Sequence, residues 1–291
     1  MKMPDGSILS LVDSGEFVVS LEIDPPTPRN IMSFPQKVKD WKTADVKVID
    51  INTSKLEPSA DSLMISGILS EHGFRVVPHI AIRDNGIRRF INQLFTAYYL
   101  HGLRDVLVIK GDSYKLRGFE GECPISSIQL IHELDRELRM KKICPELKIG
   151  AAFNYNAFNI SYEIEKLKCK DEIGADCFWS QPIFDEPQLA QLIESFRGNC
   201  ARPLFVGIFP LPSSSLISTI AAGNVPGVEI PLRLRSEAEG LNENDLRQWA
   251  IESSVELIAS VKATKEIAGV YIVAPRSAPS VALEIFKQTK A

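Results

Sequence analysis

In the stretch FVVSLEIDPP, residues 17–26, an otherwise apolar strand carries a carboxylate near its end: Glu22, followed by Ile23, Asp24 and two prolines. Strand alternation puts Val19, Leu21 and Ile23 on one face and Val18, Ser20 and Glu22 on the other. If the bulky face meets helices, Glu22 points the other way, to the mouth of whatever the strands enclose. A carboxyl group partly withdrawn from water there holds its proton to higher pH, which is what a general acid must do. The plain alternative is a structural carboxylate paired with a lysine or arginine. Asp24 and the prolines suit the shaping of a loop.

Other strand ends carry candidates. The run VIKGDS offers Lys110, Gly111 and Asp112, a cation, a point of close backbone approach and a second acid, although a loop aspartate by default caps a turn. In VVPHIAIRD, His79 lies within an apolar segment, where a histidine is more often a satisfied core residue than a base. WSQPIFD places Gln181, a neutral donor and acceptor, at a strand end. GAAFN offers small residues that leave room and a ring, Phe153, able to line a flat ligand.

Several chemistries lack their motif. His132-Glu133 is followed by Arg136 where a zinc protease helix needs its second histidine, and neither G-x-S-x-G, G-x-G-x-x-G nor G-x-x-x-x-G-K-[ST] occurs. The five cysteines form no C-x-x-C pair, so buried reduced thiols are expected rather than a disulfide framework or zinc ribbon. A formal net charge of −4 gives no reason to expect nucleic acid or an anionic membrane as partner. The apolar runs are far shorter than the roughly 20 residues of a membrane span and no leader pattern opens the chain, so the expected compartment is the cytoplasm.

The elements that must position these residues recur regularly. Short β-branched runs, FVVSLEI, VKVIDI, RVVPHIA, DVLVIKG, LKIGAAF, DCFWSQ, PLFVGIF and GVYIVAP, end near residues 23, 51, 81, 111, 153, 181, 209 and 275. Helical patterns lie between them, near 34–44, 59–72, 86–101, 126–140, 160–173, 187–197, 214–223 and 242–267. Ser126 or Ser127 can cap the fourth of these, and Pro187 suits a first helical turn. Eight strand and helix pairs in 291 residues predict an α/β fold, a TIM (β/α)8 barrel forming a single domain over residues 1–291. In such a barrel the active site lies at the carboxyl ends of the strands, where Glu22, Asp112 and Gln181 fall.

The ordered set VVSLEIDPP, PHIAIRD, HGLRDVLVIKGD, IGAAFN, LKCKDEIGADCFWSQPIFD, GIFPL and NVPGVEIP resembles the methylenetetrahydrofolate reductase family, particularly the branch fused to homocysteine methyltransferase domains. The resemblance runs from about Phe17 to Ile230. It implies a barrel holding FAD at its mouth, reduced by NAD(P)H and reoxidised by 5,10-methylenetetrahydrofolate, with 5-methyltetrahydrofolate as product of this step in one-carbon metabolism. By position, Glu22 matches the acid that protonates the folate N10. Asp112 matches the aspartate near the flavin N1 and the pterin, and Gln181 the glutamine that contacts substrate. His79, Lys110, Gly111 and Lys170 are similar to flavin-contacting positions, the lysines suited to a pyrophosphate.

Departures from the family pattern shape further expectations. Ser214, after GIFPLPSS, stands where better-known members place an aromatic ring against the nicotinamide, so electrons are expected from NAD(P)H or from a partner subunit. A non-catalytic or flavin-free pterin-binding subunit of a one-carbon complex is the alternative. Barrels of this kind often associate, but no oligomer interface is legible in the sequence.

Overall fold

The computed structural model describes residues 6–53, 58–82, 86–110, 126–225, 227–275 and 278–290. Eight strands, β1 (Val18–Ile23), β2 (Val48–Ile51), β3 (Arg75–Ala81), β4 (Asp105–Ile109), β5 (Lys148–Phe153), β6 (Cys177–Ile183), β7 (Leu204–Ile208) and β8 (Gly269–Val273), form a closed barrel in sequence order. Every pairing is parallel, including the closing one between β1 and β8. The strands are buried on both faces, which is why they read as nearly continuous β-branched runs rather than alternating ones. The expected barrel is therefore the one observed.

Helices return the chain outside the barrel, and their starts follow local chemistry. These are α1 (Ile8–Asp13), α2 (Phe34–Thr43), α3 (Ser62–Glu71), α4 (Ile87–His101), α5 (Ser127–Leu134), α6 (Ile160–Glu172), α7 (Glu186–Phe196), α8 (Ser214–Ala221), α9 (Leu232–Glu239), α10 (Glu243–Ala263) and α11 (Pro279–Gln288). Ser126, not Ser127, caps α5 in a reciprocal box: its hydroxyl accepts from Gln129 N at 3.2 Å, and Gln129 Oε1 accepts from Ser126 N at 2.7 Å. Asp185 caps α7 ahead of Pro187. The α5 chain runs on as a π-helical turn, Asp135–Met140, whose Arg139 binds Asp135, Asp176 and the Gly174 carbonyl. Three helices, α1, α9 and α11, and a 3-10 turn at Ile31–Ser33 stand outside the eight expected strand and helix pairs.

The barrel interior is a separate apolar cluster, with Val18, Val48, Val77, Leu107, Cys177, Trp179, Phe205 and Tyr271 packed inside. Its large rings need missing side chains opposite them. A β-carbon on Gly150 would lie 2.4 Å from the Trp179 ring, and one on Gly207 would lie 2.5 Å from the Tyr271 hydroxyl. Helix α1 closes the amino-terminal end: Ile8 and Leu11 join the interior cluster, and the Ile8 amide donates to Asp105 Oδ2 at 2.9 Å. The other end stays available as the mouth. Among the described residues no helix is long and apolar enough to cross a membrane, and no group of three or more His, Cys, Asp or Glu side chains is placed to hold a metal ion.

Candidate active site

Parity along β1 decides where Glu22 goes. Leu21 and Ile23 pack outward into the cluster shared with the helices, whereas Val18 belongs to the interior cluster, so Ser20 and Glu22 continue that inner face upward. Glu22 sits half-buried at the mouth and, among the described residues, receives one long hydrogen bond, from Asn52 Nδ2 at 3.3 Å. Its backbone carbonyl accepts from Ala274 N at 2.8 Å, which ties it to the chain leaving β8. Burial pushes its acidity constant from 4.5 up to about 7; His79 pulls the other way, and Asp50 and Asp24 add to the rise. No lysine or arginine is paired with it, so the structural ion pair weighed for Glu22 does not form among the described residues.

Directly across from Glu22 on β2 is Asp50, a fully buried carboxylate. It accepts from Ser20 Oγ and from Trp179 Nε1, the latter at 3.1 Å, and its Oδ1 lies 3.9 Å from His79 Nε2. His79 is buried too, and its Nε2 has no hydrogen-bond partner. Tyr271 completes the group from β8. Its hydroxyl donates to the Ser180 carbonyl at 2.6 Å, and burial followed by the Glu22 and Asp50 carboxyls raises its acidity constant well above the ordinary value. Five inner-face residues from five strands (Ser20, Asp50, His79, Trp179, Tyr271) thus form a polar layer on the inner wall next to Glu22.

The remaining expected residues divide. Gln181 lies in an irregularity of β6 between Trp179 and Pro182, partly exposed, with its amide against Gly227. Lys110 is exposed just past β4. Gly111 and Asp112 lie outside the described residues. Phe153 does not line the mouth, which corrects the expectation for its ring. Gly150 and Ala152 take the inner face of β5, so Phe153 falls on the outer one and packs against Phe196 at 5.7 Å between ring centres. Lys170 is buried behind the sheet, where Nζ donates to the Ala152 carbonyl at 2.7 Å and faces Glu163 at 3.8 Å; burial lowers its acidity constant to about 8.

A cavity of about 430 Å³ lies elsewhere, outside the barrel wall between α2 and α11, and is lined by the outward residues Leu21 and Ile23. It faces away from Glu22.

The family model described as methylenetetrahydrofolate reductase matches residues 7–290. The chain belongs to the methylenetetrahydrofolate reductase family. Among curated proteins no sequence matches. Of solved structures, an uncharacterized protein from Clostridium thermocellum that binds two copies of 5-methyl-5,6,7,8-tetrahydrofolic acid superposes with a TM-score of 0.71 at 13% identity, covering 97% of this chain and 98% of that one. A 2,3-dimethylmalate lyase of the PEP mutase/isocitrate lyase superfamily gives 0.56 at 12% identity, over 96% and 80% of the two chains. Oxaloacetate acetylhydrolase gives 0.53 at 10%, over 99% and 96%. At such identities these likenesses speak for the barrel alone.

Four members of the polar layer, Ser20, Asp50, Trp179 and Tyr271, were not among the residues expected from the sequence. The signal for Asp50 was present: VKVIDI places an acid in the middle of an apolar strand, and its parity relative to Val48 puts it inside. Trp179 was hidden among strand aromatics, since only the missing side chain of Gly150 on the neighbouring strand reveals the space it fills.

Proposed function

We propose that this protein reduces 5,10-methylenetetrahydrofolate to 5-methyltetrahydrofolate. The observation that carries the reading is Glu22: a carboxyl at the barrel mouth, paired with no cation among the described residues, that burial holds protonated up to about pH 7. A neutral carboxyl can donate to the bridging N10 of the substrate, so the N10–methylene bond breaks and the electron pair stays on N10. The methylene left on N5 is then an iminium carbon that accepts a hydride to become the methyl group. Glu22 recovers its proton from solvent at the open mouth. Gln181, on the opposite side of the barrel, offers an amide that donates and accepts at the pterin edge, and Asp112 is assigned a second polar anchor. The Clostridium thermocellum protein of the same barrel architecture binds the methylated folate that this reaction would form.

The hydride source proposed is FAD, and the residues present fit a flat group over β3 to β5. Ala81, Ile109 and Ala152 occupy the uppermost inner positions of those strands, a small and apolar floor. Lys110, exposed beyond it, would face the pyrophosphate, with Gly111 beside it. When bound, the flavin supplies a hydride acceptor and donor, loaded by NAD(P)H or a partner subunit. His79 lies beneath this floor and turns to Asp50.

One observation favours a second reading, a flavin-free reductase or pterin-binding subunit. Lys170, a lysine the resemblance offers to the pyrophosphate, has its ammonium engaged by the Ala152 carbonyl and Glu163. An absorbance spectrum of the purified protein, followed by anaerobic NADH and then methylenetetrahydrofolate, separates the readings. Flavin that bleaches and recolours supports the proposal, and Glu22→Gln should then bleach normally but fail to recolour. Equal loss of both half-reactions in that variant would make Glu22 structural.

A further inference from the structure

The two carboxyls that face one another across β1 and β2 stand in opposed surroundings. Asp50 is fully buried, yet it receives an O–H from Ser20, an N–H from Trp179 and the approach of His79 Nε2 at 3.9 Å. Donors of this kind stabilise a carboxylate. Among the described residues Glu22 has a single 3.3 Å contact, from a neutral amide, and the open mouth above it. Where two neighbouring acids are treated so differently, one becomes the fixed anion and the other carries the proton.

From this, resting on the proposed role of Glu22 as acid, we infer that Asp50 and His79 are positioning residues that hold the proton on Glu22: Asp50 as the anchored anion that opposes its loss, His79 as the counterweight that eases it. Both act through Glu22: Asp50 is its fully buried register partner on β2, and His79 is buried beside Asp50. The assignment accounts for the cost of placing Asp50 inside an apolar barrel, which a purely structural core would avoid. It also accounts for the unpartnered His79 nitrogen, which faces the Asp50 carboxylate without closing a hydrogen bond to it.

Other titratable groups around Glu22 are few among the described residues. Asp24 follows it on its own loop and adds to the rise. Tyr271 faces it from β8, with its proton held by the Ser180 carbonyl. From β2 and β3 the groups are Asp50 and His79 themselves.

The test is a titration of Glu22 in the full-length protein without substrate. Infrared difference spectra between pH 5 and 9 would follow the protonated-carboxyl band, with Glu22→Gln used to assign it. The expected midpoint moves down by about one pH unit in Asp50→Asn, the size set by a like charge within about 6 Å, and moves up in His79→Gln. The amide introduced by Asp50→Asn keeps an oxygen for Trp179, so the layer stays bonded. General loosening would shift both variants the same way, whereas the inference requires opposite signs. An unmoved midpoint in Asp50→Asn overturns its role, and an unmoved one in His79→Gln overturns the counterweight. Failure of the reductase reading would show differently, as absent turnover with the two shifts intact.

Discussion

Asp105 offers a test of the fold that is independent of the active site. It opens β4 at the closed end of the barrel, buried, with Oδ2 accepting from the Ile8 amide and Oδ1 unpartnered. Burial, the largest cause, raises its acidity constant from 3.8 to about 8; the Ile8 bond and Arg75 work against the rise, and Asp50 and Asp176 add to it. The sign follows from proton counting. Between about pH 4 and 8 the folded chain keeps a proton on Asp105 that the unfolded chain has released, so stability is greatest at the acid end and falls as pH rises, by about 1.4 kcal/mol per pH unit inside the window. The full span from 3.8 to about 8 sets a ceiling of about 6 kcal/mol, and detachment of the short α1 cap limits how much of it is reached. Asp105→Asn removes the titration while keeping an acceptor for Ile8. Urea unfolding at pH 5.5, 6.5 and 7.5 should show the wild type losing about 1 to 1.5 kcal/mol per unit relative to the variant. Glu22 slopes the same way but is common to both proteins and cancels. A wild-type-minus-variant difference that stays flat across the three pH values would refute the reasoning.

Two further substitutions separate barrel packing from the mouth. Gly150→Ala would push a methyl to 2.4 Å from the Trp179 ring, so it should cost about 1 to 3 kcal/mol in unfolding free energy and alter tryptophan fluorescence; a neutral result would mean the ring is not held there. Phe153→Leu loses the contact with Phe196 and should cost about 1 to 2 kcal/mol, measured by urea unfolding, while leaving unchanged the affinity for the flavin and pterin of the proposed reaction. A loss of affinity in that variant would return Phe153 to the ligand.

How far the sequence reaches depends on which physical rule governs each residue. The barrel was legible because eight apolar runs separated by amphipathic stretches admit few other folds, and the rule of two placed Glu22 inside from Val18 and Leu21 alone. The same rule, counted from Gly150, turns the Phe153 ring outward; its aromatic character alone suggested the ligand. Helix α1 escaped notice because SILSLVD is short and its burial depends on a barrel end that does not exist until the strands close. Helix α11 follows the same logic, since it packs against β1 from the other end of the chain, whereas α9 packs on its sequence neighbour α8 and escaped notice because LRLRSEAE carries few apolar positions. The polar layer was the hardest part, since Ser20, Asp50, His79 and Trp179 come from strands as distant as β1 and β6, and nothing local marks Trp179 as the donor that an acid 129 positions away requires.

Three carboxyls on the inner wall show why position, rather than residue type, assigns the chemistry. Asp105, at the sealed end, avoids the cost of burial by remaining neutral, and with no path to the mouth its proton goes nowhere useful. Asp50, in the middle, is fully buried and compensated by donors from Ser20 and Trp179. Among the described residues, Glu22 alone of the three combines a raised acidity constant with a single weak hydrogen bond and an opening above it. Exchanging the surroundings would exchange the roles: a second donor directed at Glu22, as an arginine in place of Asn52 would supply, should ionise it at neutral pH and leave a protein that folds but cannot protonate N10.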